Sequence, residues 1–327
     1  RGEELRLAAA DALSWLVPGE WVSGEDMARR QGISRAAVWK QIQALRKRGY
    51  KIASSTRRGY LLMEKPDLLD ADRIRKDLAT KWLGRGILIL EQAPSTNAVA
   101  LSSIGQRQSG SIILAETQKE GRGRLSRSWS SPPGGIWMSL VLRPNIPLSQ
   151  VYRINMAASV SICRAICQLG LEAGIKWPND ILIREQKVCG ILTELGAQLD
   201  RLDYAVVGVG LNANNDTAAF PSQWNSTSLA ARLGRSIDRC ALIAAILNEM
   251  EQALEDMQSH KIYEEWRRRS LTLGKRVHIC SAEGDLVGQV VDLDQDGALI
   301  LEQGGDRRRI LAGDCIHLRP ERAAEAR

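Results

Sequence analysis

The sequence predicts an α+β protein built from three domains. At 327 residues the chain exceeds the usual length of one domain, and its composition, 44% apolar and 25% charged, is ordinary for a globular protein. Helical periodicity dominates the first part, strands and helices mix irregularly in the middle, and short alternating strands end the chain. We therefore predict domains at residues 1–65, 66–272 and 273–327.

The first domain is predicted to hold three helices and two strands. A helix spans Leu5 to Val17, Ser23 caps a second helix, and Ser34 caps a third. Tyr50–Ile52 and Tyr60–Leu62 then alternate as a strand pair. This order is typical of a winged helix-turn-helix.

The positive charge is concentrated in this domain. Residues 1–65 carry 13 Lys and Arg against 7 Asp and Glu, which accounts for +6 of the total charge of +7. Basicity restricted to a small terminal domain is typical of nucleic-acid binding, although a solvated helical bundle is the alternative. The candidate DNA contacts lie on the third helix and the hairpin tip: Ser34, Arg35, Ala36, Lys40, Gln43, Lys47, Arg57 and Arg58.

Beyond the linker Lys65-Pro66-Asp67, the middle domain mixes strands and helices. Its predicted strands are Ile87–Glu91, Ser111–Thr117, Ile136–Leu142, Ile181–Ile183, Val188–Leu195 and Tyr204–Leu211, and its long helices are Ser149–Leu169 and Arg239–Met257. Adjacent strands often lack an intervening helix, which favours a mixed sheet with helices on one face. After Leu273-Gly274 the short strands and the Asp296-Gly297 turn predict a small β-barrel.

The segment Gly121–Trp129 is the strongest candidate for an anion site. It places Arg122, Arg124 and Arg127 on a glycine-containing stretch. Arginine presents a planar set of donors to carboxylates and phosphates, and glycine lets the backbone approach a ligand. A solvated basic loop is the alternative from these residues alone.

Further motifs follow in a characteristic order. They are Ser95-Thr96-Asn97, Gln118, Lys176-Trp177-Pro178-Asn179-Asp180, Lys187 to Glu194 and Gly208-Val209-Gly210-Leu211-Asn212. Together with the arginine segment, this set resembles the biotin protein ligases. Because Ser34 to Lys40 begins a recognition helix, the resemblance is to the bifunctional ligases that also repress the biotin operon, and it covers nearly the whole chain.

This resemblance implies a class II synthetase-like ligase domain and a C-terminal SH3-like barrel. It also implies that biotin and MgATP form biotinyl-5'-AMP, from which biotin passes to a lysine of the biotin carboxyl carrier protein of acetyl-CoA carboxylase. ATP with Mg²⁺ and biotin are then substrates, and no permanent prosthetic group is expected. With the adenylate as corepressor, a homodimer is expected to bind operator DNA.

The resemblance assigns roles by position. Catalysis falls to Lys187, Arg122 and Arg124. Biotin binding falls to Ser95, Thr96, Asn97, Gln118, Arg122, Gly123, Arg124, Lys187, Gly190, Gly208 and Gly210. Nucleotide binding falls to Arg124, Trp129, Lys176, Asn179, Asp180, Asn212 and Trp224.

Several of these residues have plainer interpretations. Ser95-Thr96-Asn97 fits a helix cap, Asn179-Asp180 fits a turn that otherwise places a transient Mg²⁺ near Asp180, and Trp224 fits packing as well as adenine stacking. Gly208 and Gly210 lack the third glycine of a dinucleotide site, so we expect them to let a ligand ring lie against the backbone. The family commonly has glycine where Ser126 stands, which puts the mobility of the arginine segment in question.

Cysteine and histidine usage argues against other chemistries. No C-x-x-C pair occurs, and the six cysteines are interpreted as reduced core thiols: Cys163, Cys167, Cys189, Cys240, Cys280 and Cys315. His278 and His317 are interpreted as structural, so no permanent metal site is expected. Without a signal peptide or a long apolar stretch, a cytoplasmic protein without membrane contact is expected.

Two other functions remain open at this stage. A transcription factor that senses a small ligand without catalysis would not need the phosphate-neutralising set Arg122, Arg124 and Lys187. A lipoate-type acyl ligase shares the expected fold, but the Lys176–Asp180 motif together with the winged helix favours biotin.

Overall fold

The computed structural model describes residues 12–47, 50–198, 201–281 and 284–318. The chain divides into two compact units, Arg1–Leu68 and Leu69–Arg327. Most of the predicted first helix, Leu5 to Val17, lies outside the described residues. Among the helices that are described, none has the length and apolar content needed to cross a membrane.

The part of the first unit that lies between Trp21 and Glu64 has two helices and a three-stranded sheet among its described residues. Its elements are β1 (Trp21–Val22), α1 (Gly24–Gln31), α2 (Arg35–Lys47), β2 (Lys51–Ser55) and β3 (Gly59–Glu64). Antiparallel pairing gives the sheet order β1-β3-β2. The β2–β3 hairpin is the predicted wing.

Local sequence signals explain the helix-turn-helix. The hydroxyl of Ser23 accepts from the first amides of α1, and Gly32 ends that helix with φ of 65°, a left-handed conformation that glycine adopts without strain. In α2, Val38, Ile42 and Leu45 recur at helical spacing and are fully buried. The predicted helix-turn-helix with a wing is confirmed.

The second unit is organised on a seven-stranded mixed sheet. Its strands are β4 (Ile87–Ala93), β5 (Ile112–Gln118), β6 (Ile136–Leu142), β7 (Gly174–Lys176), β8 (Asp180–Ile183), β9 (Gln186–Gln198) and β10 (Arg201–Leu211). Their order is β4-β5-β6-β10-β9-β8-β7, and only the β4–β5 pair is parallel among the described ladders. The predicted α+β class is confirmed.

Helices cover both faces of this sheet unequally. They are α3 (Ala71–Lys76), α4 (Thr96–Ser102), α5 (Tyr152–Gln168), α6 (Leu229–Leu233), α7 (Arg239–Glu255) and α8 (His260–Arg268). Side chains alternate along β5, so Ile112 and Leu114 join the main core with the long helices α5 and α7. Ile113 faces the other way and packs with Ala100 of the short helix α4. The expectation of helices on one face therefore holds for the long helices only.

The C-terminal strands form an open sheet. They are β11 (Arg276–Ser281), β12 (Gly284–Leu293), β13 (Leu299–Gln303), β14 (Asp306–Ile310) and β15 (Asp314–His317), in the order β14-β13-β12-β11-β15. Within the described residues β14 and β15 do not pair with each other. The predicted closed barrel is thus not confirmed, because alternation along strands specifies two faces but not closure.

Candidate active site

A cleft of about 640 Å³ opens over the centre of the seven-stranded sheet. It is bounded by the start of α4, the arginine segment, the β7–β8 corner, the middle of β9 and β10, and strand β15. Predicted residues that line it are Ser95, Thr96, Asn97, Gln118, Arg122, Gly123, Arg124, Trp129, Lys176, Asn179, Asp180, Lys187, Gly190, Gly208, Gly210 and Trp224. Segments far apart in sequence therefore converge on one cleft.

The floor of the cleft is a buried network of polar side chains. The amide of Thr96 donates to Gln118 Oε1 at 2.7 Å, and Ser139 Oγ lies 2.6 Å from Asn97 Oδ1. Asn97 Nδ2 in turn donates to Glu194 Oε2 at 2.7 Å. Because every member is oriented by a neighbour, the floor presents fixed donors and acceptors to a neutral polar ligand.

The start of α4 has a local peculiarity. Ser95 takes the extended N-cap conformation, but its hydroxyl makes no capping hydrogen bond and the side chain is buried. The helix-cap interpretation therefore describes its backbone only. Ser95, Thr96 and Asn97, at the start of this helix, all line the cleft.

Gly208 and Gly210 are explained by close side chains. A Cβ atom on Gly208 would lie 2.4 Å from Asn97 Oδ1, and one on Gly210 would lie 2.6 Å from Trp129 Nε1. Either contact is shorter than van der Waals separation allows. The two glycines therefore make room for Asn97 and Trp129, and both also line the cleft, where the sequence predicts that a ligand ring lies against the backbone.

The arginine segment forms a closed turn. Trp129 N donates to Gly121 O at 2.7 Å, and Gly123 N donates to Arg127 O at 2.7 Å. A short 3-10 turn spans Arg124–Ser126, within which Leu125 has a left-handed φ of 52°. The backbone thus folds back on itself and presents its arginines along the cleft.

The rim of the cleft carries cations that are each held by one oxygen partner. Arg122 lies 3.7 Å from Glu194, Arg124 Nη1 donates to Gly313 O at 3.3 Å, and Arg127 pairs with Asp314. These contacts join the arginine segment to β9 and to the C-terminal sheet. The rim cations are partly exposed, so an incoming anion can compete for them.

Lys187 occupies the opposite side of the rim. Its Nζ is 2.7 Å from Asp180 Oδ1 and 5.0 Å from the centre of the Trp129 ring. The Trp129 Nε1 proton is buried without a hydrogen-bond partner among the described residues. Lys187 and Trp129 thus form a cation–π pair, both residues line the cleft, and the indole Nε1 lies against Gly210.

The β7–β8 corner is supported by the C-terminal sheet. Trp177 N donates to Thr272 Oγ1 at 3.0 Å, and the Trp177 indole donates to Gly297 O at 2.9 Å. Thr272 Oγ1 also contacts His317 Nε2 at 3.0 Å. Burial, reinforced by the positive charge of Lys176, lowers the pKa of His317 to about 4, so the ring is neutral at pH 7. The interpretation of His317 as structural fits these contacts.

Two of the residues predicted to bind the nucleotide, Asn212 and Trp224, differ in whether they line the cleft. Asn212 does not line the cleft; it is buried, and its Oδ1 accepts from Asn215 Nδ2 at 3.1 Å. Trp224 lines the cleft, is 37% exposed, and packs edge-to-face with Phe220 at 5.8 Å. Trp224 therefore has a free ring surface, whereas Asn212 acts within the loop that follows β10.

Sequence reasoning missed residues that complete the site through tertiary contacts. Ser139 anchors the floor from β6, Glu194 links the floor to Arg122, and Asp314 holds Arg127. Cys315 and Ile316 also line the cleft from β15. Glu194 ends the Lys187 to Glu194 motif but had no assigned role, and the other residues lie in no motif that signals ligand binding, so only the folded chain reveals their contacts.

The predicted DNA contacts lie in the first unit. Arg35, Ala36 and Lys40 are exposed on α2, and Ser34 Oγ accepts from Ala37 N at 3.2 Å at its start. Arg57 and Arg58 are exposed at the tip of the wing. The basic helix face continues to Gln43, while the Lys47 side chain lies outside what the structure describes.

His278, interpreted from the sequence as structural, has two polar neighbours on the C-terminal sheet. In the structure His278 Nε2 is 2.9 Å from Asp285 Oδ2 and 3.9 Å from Cys280 Sγ. The strand register brings Asp285 there from β12. Of the other cysteines, Cys163, Cys189, Cys240 and Cys315 are buried, whereas Cys167 is exposed and is not the core thiol that the sequence predicted.

Comparisons with known proteins match this architecture. Residues 89–212 match the biotin/lipoate A/B protein ligase family, residues 272–318 match the biotin protein ligase C-terminal domain, and residues 11–61 match a helix-turn-helix domain. Fold and cleft therefore define a protein of the biotin ligase class.

Full-length relatives narrow the class. The bifunctional ligase/repressor BirA of Bacillus subtilis is 36% identical over 90% of this chain and 93% of its own length. The biotin–[acetyl-CoA-carboxylase] ligase of Mycobacterium tuberculosis is 31% identical over 77% of this chain and 100% of its own. The biotin protein ligase from Aquifex aeolicus in complex with biotin and ATP superposes with a TM-score of 0.64 at 25% identity, covering 72% of this chain and 100% of that one. The chain belongs to the bifunctional ligase/repressor family of biotin protein ligases.

Proposed function

We propose that this protein activates biotin with ATP and transfers it to a lysine of a carrier protein. The observation that carries the proposal is one cleft with a neutral, hydrogen-bonded floor and a cationic rim. The floor suits the uncharged ureido ring of biotin. The rim suits its carboxylate together with the phosphates of ATP.

The first step joins two anions and needs no general base. A biotin carboxylate oxygen attacks the α-phosphate of ATP, the bond to the β-phosphate oxygen breaks, and pyrophosphate leaves, giving biotinyl-5'-AMP. Lys187, Arg122 and Arg124 neutralise charge that grows on the phosphate oxygens. In the second step the carrier lysine, as a free amine, attacks the biotinyl carbonyl carbon. The bond from this carbon to the bridging oxygen breaks, AMP leaves with that oxygen, and the nitrogen gives up one proton to solvent.

The ion pairs of the rim support a route by which substrates engage. Asp180 is paired with Lys187 at 2.7 Å, and Glu194 lies 3.7 Å from Arg122. When phosphate takes over Lys187, the Asp180 carboxylate becomes available to the Mg²⁺ that arrives with ATP. The remaining proposed nucleotide contacts are Trp129, Lys176, Asn179 and Trp224, with Asn212 acting indirectly.

We further propose that the first unit represses transcription. The family relatives named ligase/repressor and the exposed basic residues of α2 and the wing support operator binding. Biotinyl-5'-AMP would act as corepressor by favouring a homodimer. The biotin carboxyl carrier protein of acetyl-CoA carboxylase is the proposed acceptor, and a cytoplasmic location is part of the same proposal.

Two other functions fit the cleft less well than biotin ligation. A ligand sensor without catalysis would have no use for the cations that surround the cleft. A lipoate-type ligase would bind an acyl chain that ends in a dithiolane, for which the amide and hydroxyl network around Asn97 offers no matching partner.

Mass spectrometry of a carboxyl carrier domain tests the ligase. After incubation with the full chain, biotin and MgATP, we expect the carrier to gain the mass of one biotinyl group on a single lysine. Lipoate in place of biotin, and omission of ATP, are the controls. An unmodified carrier, or equal modification by lipoate, would refute the proposed substrate.

Repression is tested by salt-dependent DNA binding. Lys40→Ala with Arg57→Ala should weaken operator binding and flatten its dependence on salt, because fewer phosphates are neutralised, while biotinylation stays normal. Sedimentation with a non-hydrolysable biotinyl-adenylate analogue should show a rise in mass at concentrations where the free protein is monomeric. An unchanged salt slope, or an unchanged mass, contradicts the corresponding part of the proposal.

A further inference from the structure

A second chemical cluster lies outside the cleft, on the β11–β12 hairpin. His278 and Cys280 are two residues apart on β11, so their side chains share one face of the sheet. Asp285 stands directly opposite Cys280 on β12. One nitrogen, one sulfur and one carboxylate oxygen lie within 4.8 Å of one another.

The spacing of these atoms fits a small metal ion. In a tetrahedral site with zinc–ligand bonds of about 2.0–2.3 Å, ligand atoms are about 3.3–3.8 Å apart. Cys280 Sγ is 3.9 Å from His278 Nε2, while Asp285 Oδ2 is 2.9 Å from the same nitrogen. One distance is slightly long and one is short, so small side-chain rotations bring all three onto one ion.

The donor set selects the class of metal. Imidazole, thiolate and a single carboxylate are ligands for zinc and similar borderline-soft ions, whereas Mg²⁺ prefers oxygen donors. The Asp285 side chain is 62% exposed, which leaves room for water as a fourth ligand. Binding converts the Cys280 thiol to a thiolate and releases its proton to solvent.

A simple ion pair explains only part of the arrangement. A His278–Asp285 pair accounts for two of the three residues, but it does not need a half-buried thiol beside it. We propose that His278, Cys280 and Asp285 form a binding site for a zinc-class divalent cation. This site is separate from the residues that contact ATP and does not depend on the proposed ligase reaction.

The cluster lies beside the strand that contacts the arginine segment. Cys280 also stands opposite Asp314 of β15, on the side away from β12. Asp314 pairs with Arg127 of the arginine segment. A cation held by Cys280 would therefore lie next to the contact through which the C-terminal sheet holds that segment.

Cobalt substitution tests the site directly on the full chain. Co²⁺ bound by a thiolate in tetrahedral geometry gives a charge-transfer band in the near ultraviolet and strong visible bands. We expect both bands at one Co²⁺ per chain, displaced by Zn²⁺ but not by Mg²⁺. Absence of the charge-transfer band would overturn the proposal.

Matched variants and thiol mapping separate this site from other thiols. Cys280→Ser should remove the charge-transfer band and weaken Zn²⁺ binding at least about tenfold, whereas Cys167→Ser, at another accessible thiol, should change neither. In the unaltered protein, Zn²⁺ should slow alkylation of Cys280, followed by peptide mass spectrometry, at least about tenfold. Unchanged alkylation of Cys280, or loss of the band in Cys167→Ser, would contradict the assignment without relying on how a variant folds.

Discussion

The floor of the cleft is held by buried hydrogen bonds, whereas its rim is held by partly exposed ion pairs. The floor residues Thr96, Asn97 and Ser139 are almost fully buried, and Ser139 Oγ bonds to Asn97 Oδ1 at 2.6 Å and to Thr96 Oγ1 at 2.7 Å. The rim cations Lys187 and Arg122 are partly exposed, and each is paired with one carboxylate. A buried network is costly to disturb, whereas an exposed pair is easily exchanged.

Under the proposed function, this difference separates the recognition of biotin from the chemistry of adenylate formation. The floor would be set before biotin arrives and would distinguish its ring by hydrogen bonds. The rim holds its charges against Asp180 and Glu194 until a stronger anion replaces them. Substitutions in the floor should therefore change affinity and stability, while substitutions in the rim should change the rate of adenylate formation.

The largest effect is expected at Lys187. Lys187→Ala should lower the rate of adenylate synthesis by on the order of 100-fold or more, because a preorganised charge on the phosphate is lost. Thermal stability should change little, since the side chain is partly exposed and its ion pair with Asp180 lies at the rim of the cleft. Pyrophosphate release measures the rate. Lys81→Ala is the control, because that lysine is 81% exposed and lies 3.9 Å from Glu255. Near-normal turnover of Lys187→Ala would refute the proposed role of the rim in adenylate synthesis.

A smaller effect, in a different quantity, is expected at Ser139. Ser139→Ala removes the hydroxyl beside Asn97 Oδ1 and Thr96 Oγ1 and should destabilise the fold by about 1–3 kcal/mol. Biotin affinity, measured by calorimetry, should fall about tenfold, which is the change in affinity that corresponds to about 1.4 kcal/mol. Ser161→Ala is matched, since Ser161 is equally buried and bonds only within α5 at 2.6 Å. Equal biotin affinities for the two variants would show that the floor is structural only.

Part of this arrangement was predictable from the sequence and part was not. The segments around Arg122, Lys187 and Asn97 carry recognisable local motifs, and strand alternation placed β5, β6 and β10 closely. Partners such as Ser139 and Glu194 come from neighbouring strands or loops, and their pairing depends on register and packing that no local pattern encodes.

Two other sets of contacts, at the β10 glycines and at His278, also depend on the folded chain. Gly208 and Gly210 line the cleft and also accommodate Asn97 and Trp129, because each glycine leaves room for a side chain from another segment, which the sequence does not show. The grouping of His278 with Asp285 depends on hairpin register across two strands. Residues that act alone in a motif are thus predictable, whereas residues that act through a partner are not.

The pH dependence of stability should report on His317, which contacts Thr272 below the β7–β8 corner and does not line the cleft. The folded pKa of His317 is about 4, because burial and nearby Lys176 and Lys275 disfavour the charged ring, against about 6.5 when unfolded. The unfolded chain therefore binds a proton first, so this contribution to stability is complete above pH 6.5 and is lost as pH falls toward 4.

The corresponding experiment compares urea unfolding across this pH range. His317→Gln should take up almost one proton fewer on unfolding near pH 5 than the unaltered protein, and the stability curve should be flatter. His260→Gln, at an exposed position on α8, is the control. Equal proton uptake by His317→Gln and the unaltered protein would mean that His317 is not buried as a neutral ring.

The smallest change in stability is expected where the rim meets the C-terminal sheet. Arg127 is 69% exposed and pairs with Asp314, so Arg127→Ala should alter the free energy of unfolding by no more than about 1 kcal/mol. The same change removes a contact that holds the arginine segment, whose turn contains Leu125 in a left-handed conformation. Tryptic cleavage after Arg122 or Arg124 should therefore accelerate several-fold, and a biotinyl-adenylate analogue should slow it again by bridging the remaining arginines. Arg307→Ala is the matched control, because Arg307 is 68% exposed and pairs with Glu302 at 3.1 Å, away from the segment. If both variants were cleaved at the same rate as the unaltered protein, the closed turn alone would hold the segment, and the rim would be as fixed as the floor.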